Sequence, residues 1–175
     1  MIYTPKYFAT TLDSLAKQVL PEHIYNKEGV AGLRHMDERI LITLDSLRKE
    51  LGKPITVNSW SWGGERNASG YRDVAYYDTL QKYSDSTSQH KSGRALDFQV
   101  KGMTAQDVRL FILENKEKFP YIKFLEVGPL KNGQRMNWVH IDCRMQEAWL
   151  ERDTIICWSP LKSYVTEETV RNNNL

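Results

Sequence analysis

The sequence predicts an α+β fold in which a small, mostly antiparallel sheet carries helices packed on one side. Two observations lead there. Three stretches place apolar residues at helical spacing, and four short runs read as strands, the last two of them joined by turn residues. At 175 residues the chain has the size of one domain, 1–175, and is long enough to bury a core without disulfide staples.

The first helix is expected from about residue 12 to 20, capped by Thr10 or Thr11. Its stripe is Leu12, Leu15, Ala16, Val19 and Leu20, and Pro21 ends it. The second runs from about Arg34 to Leu51, with Met36, Ile40, Leu41, Leu44 and Leu47 on one face and Gly52 and Pro54 as its stop. Residues 55–59, ITVNS, read as a short strand. After them comes a long polar and aromatic stretch, residues 60–90, without periodicity. Its aromatic residues, among them Trp60, Trp62, Tyr71, Tyr76, Tyr77 and Tyr83, argue against disorder, so an ordered lining of a site is expected, or packing of the loop onto the body.

In residues 94–100, RALDFQV, alternation puts Leu96, Phe98 and Val100 on one face and Asp97 on the other. Thr104 caps a third helix, residues 105–117, with Val108, Phe111 and Ile112 inward. Two strands follow, YIKFLEV and MNWVHIDC, joined by a turn around GPLKNGQ; together they read as a hairpin.

Composition narrows the function. No apolar run approaches the roughly 18 residues that a membrane span needs, and the N-terminus lacks the basic start and apolar stretch of a secretory signal. Net charge is +2 with both signs mixed along the chain, so no basic stripe argues for nucleic acid. The two cysteines, Cys143 and Cys157, are too few for a disulfide framework and read as buried thiols.

Four histidines remain. His23 follows Pro21 in a polar turn and His35 opens a helix, so both read as surface residues. His90 is delivered by a loop into the strand that presents Asp97 seven residues later, and His140 lies mid-strand, where an imidazole wants a partner. A catalytic zinc needs three protein ligands and an open fourth position.

The segment Ser88-Gln89-His90-Lys91-Ser92-Gly93-Arg94-Ala95-Leu96-Asp97 resembles the S-x-H-x-x-G-x-A-x-D signature of the zinc D-Ala-D-Ala carboxypeptidase family. That family includes phage endolysin endopeptidases and shares its fold with Hedgehog signalling domains. Trp138-Val139-His140-Ile141-Asp142 resembles its third-ligand strand, and the resemblance runs from about Ile55 to Cys143. It implies a Zn²⁺ held by His90, Asp97 and His140. It further implies hydrolysis of peptidoglycan stem or cross-link peptides. The long aromatic loop, which suggests an open groove for a polymer, favours an endopeptidase, and the small chain without a signal suggests an endolysin or a virion component made in the host cytoplasm. The oligomeric state is not legible, and a monomer is expected.

Physical chemistry supports the carry-over. Gly93 permits a turn that a Cβ would resist, and Ala95 leaves room beside the metal. Two neutral imidazoles and one carboxylate leave a positive site, which lowers the pKa of bound water toward about 7. Arg72, in Ser69-Gly70-Tyr71-Arg72, matches the family's arginine upstream of the first ligand and is expected to hold a substrate carboxylate or the developing oxyanion. Ser88 and Gln89 could add hydrogen bonds near the metal.

One position departs from the family pattern. Many relatives carry an acid three positions before the third ligand, and here Asn137 stands there. Asp142 shares a strand face with His140, and Glu126 would project onto that face if the hairpin pairs it opposite Met136 or Trp138. Glu126 is the preferred general base, with Asp142 expected to orient the His140 imidazole. A phage structural or binding protein that retains the zinc fold is the alternative function.

Overall fold

The computed structural model describes residues 3–128, 136–144, 154–160 and 163–172. Helix α1, Leu12–Val19, begins at Thr11, whose side chain accepts from the Ser14 amide in a reciprocal capping box, so Thr11 rather than Thr10 is the cap. It buries Leu15, Ala16 and Val19. A helix that the sequence reading missed, α2 (Glu22–Glu28), starts directly after Pro21; only Ile24 is buried, so no stripe announced it.

Helix α3, Glu38–Leu51, is capped by Asp37 and closed by Gly52 in the left-handed conformation, φ 62°. It starts later than expected because residues 29–35 form a 3-10 helix that ends at His35, and Met36 is extended. Its stripe of Ile40, Leu41, Leu44 and Leu47 is buried as read. The short α4 (Leu80–Asp85) lies in the stretch read as irregular, along with 3-10 turns at Trp60–Trp62 and Val74–Tyr77. Helix α5, Ala105–Glu114, has the expected Thr104 cap but stops short of residue 117, where Lys116–Lys118 tighten into a 3-10 turn. Its buried residues are Val108, Arg109, Ile112 and Leu113; Phe111 is only partly buried. A last helix, α6, covers Glu167–Asn172.

Six strands form one sheet: β1 (Ile55–Thr56), β2 (Ala95–Val100), β3 (Phe124–Glu126), β4 (Val139–Asp142), β5 (Ile156–Ser159) and β6 (Ser163–Val165). Their order is β1-β2-β4-β3-β5-β6, antiparallel throughout except for the parallel pair β3 and β5. The architecture is thus α+β with a mostly antiparallel sheet. The strand read at residues 55–59 is only two residues long, because beyond it Val57 and Asn58 bond to Gln18 of α1. The turn expected around residues 128–134 lies, after Gly128, outside the described residues.

Register separates two faces. Leu96 stands opposite Ile141 and Phe98 opposite Val139, and Leu125 continues that row. These side chains join Leu15, Val19, Leu41, Leu44, Leu47, Val108 and Ile112 in one apolar core. Each fully buried aliphatic or Phe side chain contributes about 1.5–3 kcal/mol. A slip of one residue would turn this row to the other face, so the core dictates which face carries Asp97 and His140.

The N-terminal segment is tied down by one buried carboxylate. Asp45 of α3 accepts from the amides of Lys6, Tyr7 and Phe8 and from the Tyr3 hydroxyl, at 2.7–3.1 Å. Among the described residues no helix is long and apolar enough to cross a membrane. Cys143 and Cys157 are buried free thiols, and burial pushes both up to about 12.

Candidate metal centre

Strand pairing sets Asp97 of β2 directly opposite His140 of β4. His90 comes from the 3-10 turn Gln89–Ser92, which closes on Gly93 at φ 63°. That glycine is required twice over: a Cβ there would lie 2.0 Å from the His35 carbonyl oxygen and 2.8 Å from Met36 Cα. The turn is held further by the Asp37 amide on Gly93 O, the Arg72 amide on His90 O and the Arg94 amide on Gln89 O. Lys91 extends away from the centre, its Nζ donating to the carbonyls of Tyr83, Ser84 and Ser86 at 2.8, 3.1 and 3.1 Å.

The three side chains converge. His90 Nε2 is 3.3 Å from His140 Nδ1 and 3.3 Å from Asp97 Oδ2, and His140 Nδ1 is 2.7 Å from Asp97 Oδ1. Among the described residues this is the group of His, Cys, Asp and Glu side chains that could hold a metal ion. Zinc–ligand bonds of about 2.0–2.1 Å in a tetrahedron put neighbouring ligand atoms roughly 3.3 Å apart. Two of the three separations match, and the third is a hydrogen bond about half an ångström shorter. The donor set, two imidazoles and a carboxylate, fits a zinc ion with a fourth position left over.

The imidazole orientations are dictated from outside the cluster. His90 is 1% exposed, and its Nδ1 donates to the Gly70 carbonyl at 2.7 Å; a carbonyl can only accept, so Nε2 presents its lone pair inward. On His140 the roles are swapped, with Nδ1 facing the cluster and Nε2 lying 3.5 Å from Asp142 Oδ2. Asp142 is fully buried and gripped by Arg144, whose Nε and Nη2 reach its two oxygens at 2.8 and 2.5 Å. The Arg144 guanidinium rests on the Phe124 ring, 3.7 Å from its centroid.

Asp97 is braced on its backbone, its amide bonding Ser69 O at 2.7 Å and its carbonyl accepting from Arg66 Nη2 at 2.7 Å. Arg72 Nη2 reaches Asp97 Oδ2 at 2.6 Å, Arg72 Nε bonds Ala68 O, and its guanidinium lies over Tyr76.

These contacts set the charges. Burial pushes His90 down, so it is neutral. Burial also opposes charge on His140, but the hydrogen bonds it donates to Asp142 and Asp97 outweigh it and raise the imidazole to about 9. Asp97 is held well below the usual carboxylate range against the pull of burial, by the charge and hydrogen bonds of the two imidazoles. In the absence of metal, the centre is a His140 imidazolium paired with the Asp97 carboxylate.

Of the remaining expected residues, Glu126 is half-buried, and burial raises its carboxyl. The β3–β4 ladder pairs Phe124 with Asp142 and Leu125 with Ile141, so continuation puts Glu126 opposite His140 and not opposite Met136 or Trp138. It keeps the expected face, since paired residues share one. Asn137 is exposed, and its carbonyl accepts from Gln99. The Gln89 amide turns to Thr87 O, away from the ligands.

His23 pairs with Asp73; His35 pairs with Glu28 and stacks on Tyr71, partly buried rather than on the surface. In the aromatic stretch, Trp60 packs on Tyr25 and donates to Leu20 O, whereas Trp62 and Tyr76 are exposed.

Sequence reading missed Arg66, Arg109, Arg144 and the Gly70 carbonyl. Arg144 was within reach, because it follows Asp142 by only two residues, close enough for its guanidinium to fold back onto that carboxylate. Comparison with family models, with curated proteins and with solved structures returned no match.

Proposed function

We propose that this chain is a zinc-dependent peptidase of the Hedgehog/DD-peptidase-like fold that hydrolyses peptidoglycan stem or cross-link peptides, as a phage endolysin or a virion-associated endopeptidase. The observation that carries the reading is the convergence of His90, Asp97 and His140 at ligand spacing, delivered by the segment whose residues resemble the family signature. Three protein ligands, which leave the fourth position of a tetrahedron to water or substrate, are the pattern of catalytic rather than structural zinc.

A zinc ion bound there would act as a Lewis acid on the scissile carbonyl and lower the pKa of a water. The chain's own groups do the rest. Glu126, raised by burial, takes a proton from the attacking water and hands it to the leaving amine. Asp142, locked by Arg144, orients the His140 imidazole. Arg72 already spends one N–H on Asp97; its remaining donors would meet a substrate carboxylate or the developing oxyanion.

Metal analysis and a turbidity assay on purified peptidoglycan, with mass analysis of the products, test the reading. The wild type should carry about one zinc and clear the suspension, and His90→Ala should lose both properties. Stoichiometric zinc in His90→Ala would remove the metal assignment. Asn137 favours a second reading, a phage structural or binding protein that keeps the zinc as architecture. That reading takes the lead if the zinc-loaded wild type cuts no wall peptide.

A further inference from the structure

We infer that Arg109 is a positioning residue that sets Glu126 against His140 by stapling β3 to β4 where their ladder ends, an inference that rests on the reading of Glu126 as the base. The β3–β4 pairing stops at Leu125 and Ile141. One step beyond it, Arg109 Nε donates to the Glu126 carbonyl at 2.9 Å and Arg109 Nη2 donates to the Trp138 carbonyl at 2.9 Å. A single planar fork thus spans the two strands that carry the base and the third ligand.

The placement is costly enough to require a reason. Arg109 is 2% exposed, and its two bonds go to neutral carbonyls; among the described residues no ion pair to it is present. Burial lowers the guanidinium to about 10, a measure of how poorly water reaches it. Val108 and Ile112 beside it on α5 enter the apolar core, where a Leu or Met would pack without burying a charge.

What Arg offers over an apolar residue is rigid two-point geometry, and Lys offers only a single flexible donor head. The acceptors do not belong to arbitrary residues. One is the carbonyl of Glu126 itself, and the other belongs to Trp138, the residue that leads into β4 two positions before His140. With the fork in place, the carboxylate of Glu126 projects from a backbone held at a constant distance from the strand of His140. Without it, among the described residues no ladder pairing ties Glu126 directly across to β4. Glu126 keeps its pairing with Trp158 of β5, and His140 keeps its contacts to Asp97 and Asp142, so the spacing between them is left to the sheet's other seams.

The test uses the zinc-loaded chain and the variants Arg109→Met and Arg109→Lys, with Lys as the milder change should Met fail to fold. Three readouts are taken: zinc content, fragment-resolved hydrogen exchange, and kcat and KM on purified peptidoglycan. Expected are retained zinc, faster exchange confined to the segments around residues 126–128 and 137–139, and kcat lower by about 10²-fold with KM unchanged, since a displacement near 1 Å can cost that much. Lys should fall between Met and the wild type. In a Glu126→Gln background, Arg109→Lys should subtract almost nothing more from kcat, because the two act through one step.

Exchange that rises evenly through α3, β2 and β4, or does not rise at all, overturns the inference. So does a full additional loss in the Glu126→Gln background. If the wild type hydrolyses no peptide, the peptidase reading fails separately, and the exchange pattern alone decides whether Arg109 holds the two strands in place.

Discussion

Zinc binding near pH 6.5 should release about one proton, and the structure says from which atom. His140 Nδ1 faces the other two ligands and carries the proton donated to Asp97 Oδ1 at 2.7 Å. Burial disfavours a second proton on His90, whose Nδ1–H is turned to Gly70 O, and Asp97 is held well below the usual carboxylate range. Metal therefore competes with a single proton, on an imidazole raised to about 9.

Such a group is about 99% protonated at pH 7 and half protonated at pH 9. Affinity should climb roughly tenfold per pH unit between about 6.5 and 8 and level off near 9. Isothermal titration in buffers of differing ionisation heat counts the protons. Working below pH 7 keeps ionisation of a metal-bound water, pKa about 7, from adding many. No proton released at pH 6.5, or two, refutes the assignment of charges.

The sign for stability follows from the same shift. In the metal-free chain the raised His140 stabilises the fold fully below the unfolded value of about 6.5, and that contribution is lost as pH rises through about 9.

Glu126→Gln should lower peptide hydrolysis by about 10²- to 10⁴-fold with zinc retained, whereas Asp142→Asn should weaken metal affinity roughly 10- to 100-fold; reversed outcomes would exchange their roles. Gly93→Ala should destabilise the fold by at least about 2 kcal/mol and displace His90, because both backbone strain and a 2.0 Å approach to His35 O oppose the methyl. Thermal melting and zinc content check it together. Asp45→Ala should cost about 2–3 kcal/mol in denaturant titration, roughly one charge-assisted bond, since the freed segment recovers water. Burial pushes Asp45 up, but the amides of Lys6, Phe8 and Tyr7 and the Tyr3 hydroxyl hold it below the usual range. Its contribution is present above the unfolded value of about 3.9 and lost as pH falls through the folded one, so Asp45→Asn should flatten the acid limb of the stability curve.

Why some of this was legible and some was not comes down to where the information resides. Helices α1, α3 and α5 announce themselves because each buries a stripe. Asp97 could be placed because Leu96 and Phe98 determine its face. Helix α2 buries one residue and α4 none, so neither leaves a periodic trace. Strands β5 and β6, four and three residues long, are too short for alternation to stand out.

At the centre, the ligand residue types were readable from the chain, but their orienters are largely backbone atoms. The Gly70 carbonyl that sets the His90 tautomer carries no side-chain signature. The hairpin register was misjudged because the residues that would have to be counted through the turn offer several plausible loop lengths. Arg109 offered a cue of its own: an arginine flanked by Val108 and Ile112 on an apolar helix face must find acceptors inside.

Lys91 has a further consequence. An ammonium caged by three carbonyls does the work of a monovalent cation in a loop, except that this cation is covalently attached to the residue beside His90. It cannot dissociate into solvent, so salt composition does not govern its occupancy. Only chemistry on Nζ can remove it. Acylation would discharge the ion and leave the Tyr83, Ser84 and Ser86 carbonyls facing one another with a single neutral amide N–H among them. The α4 segment, none of whose residues is buried, would then rest on the Tyr77–Tyr83 ring contact and the Ser86–Tyr77 hydroxyl bond, and should open locally and be nicked by proteases more readily.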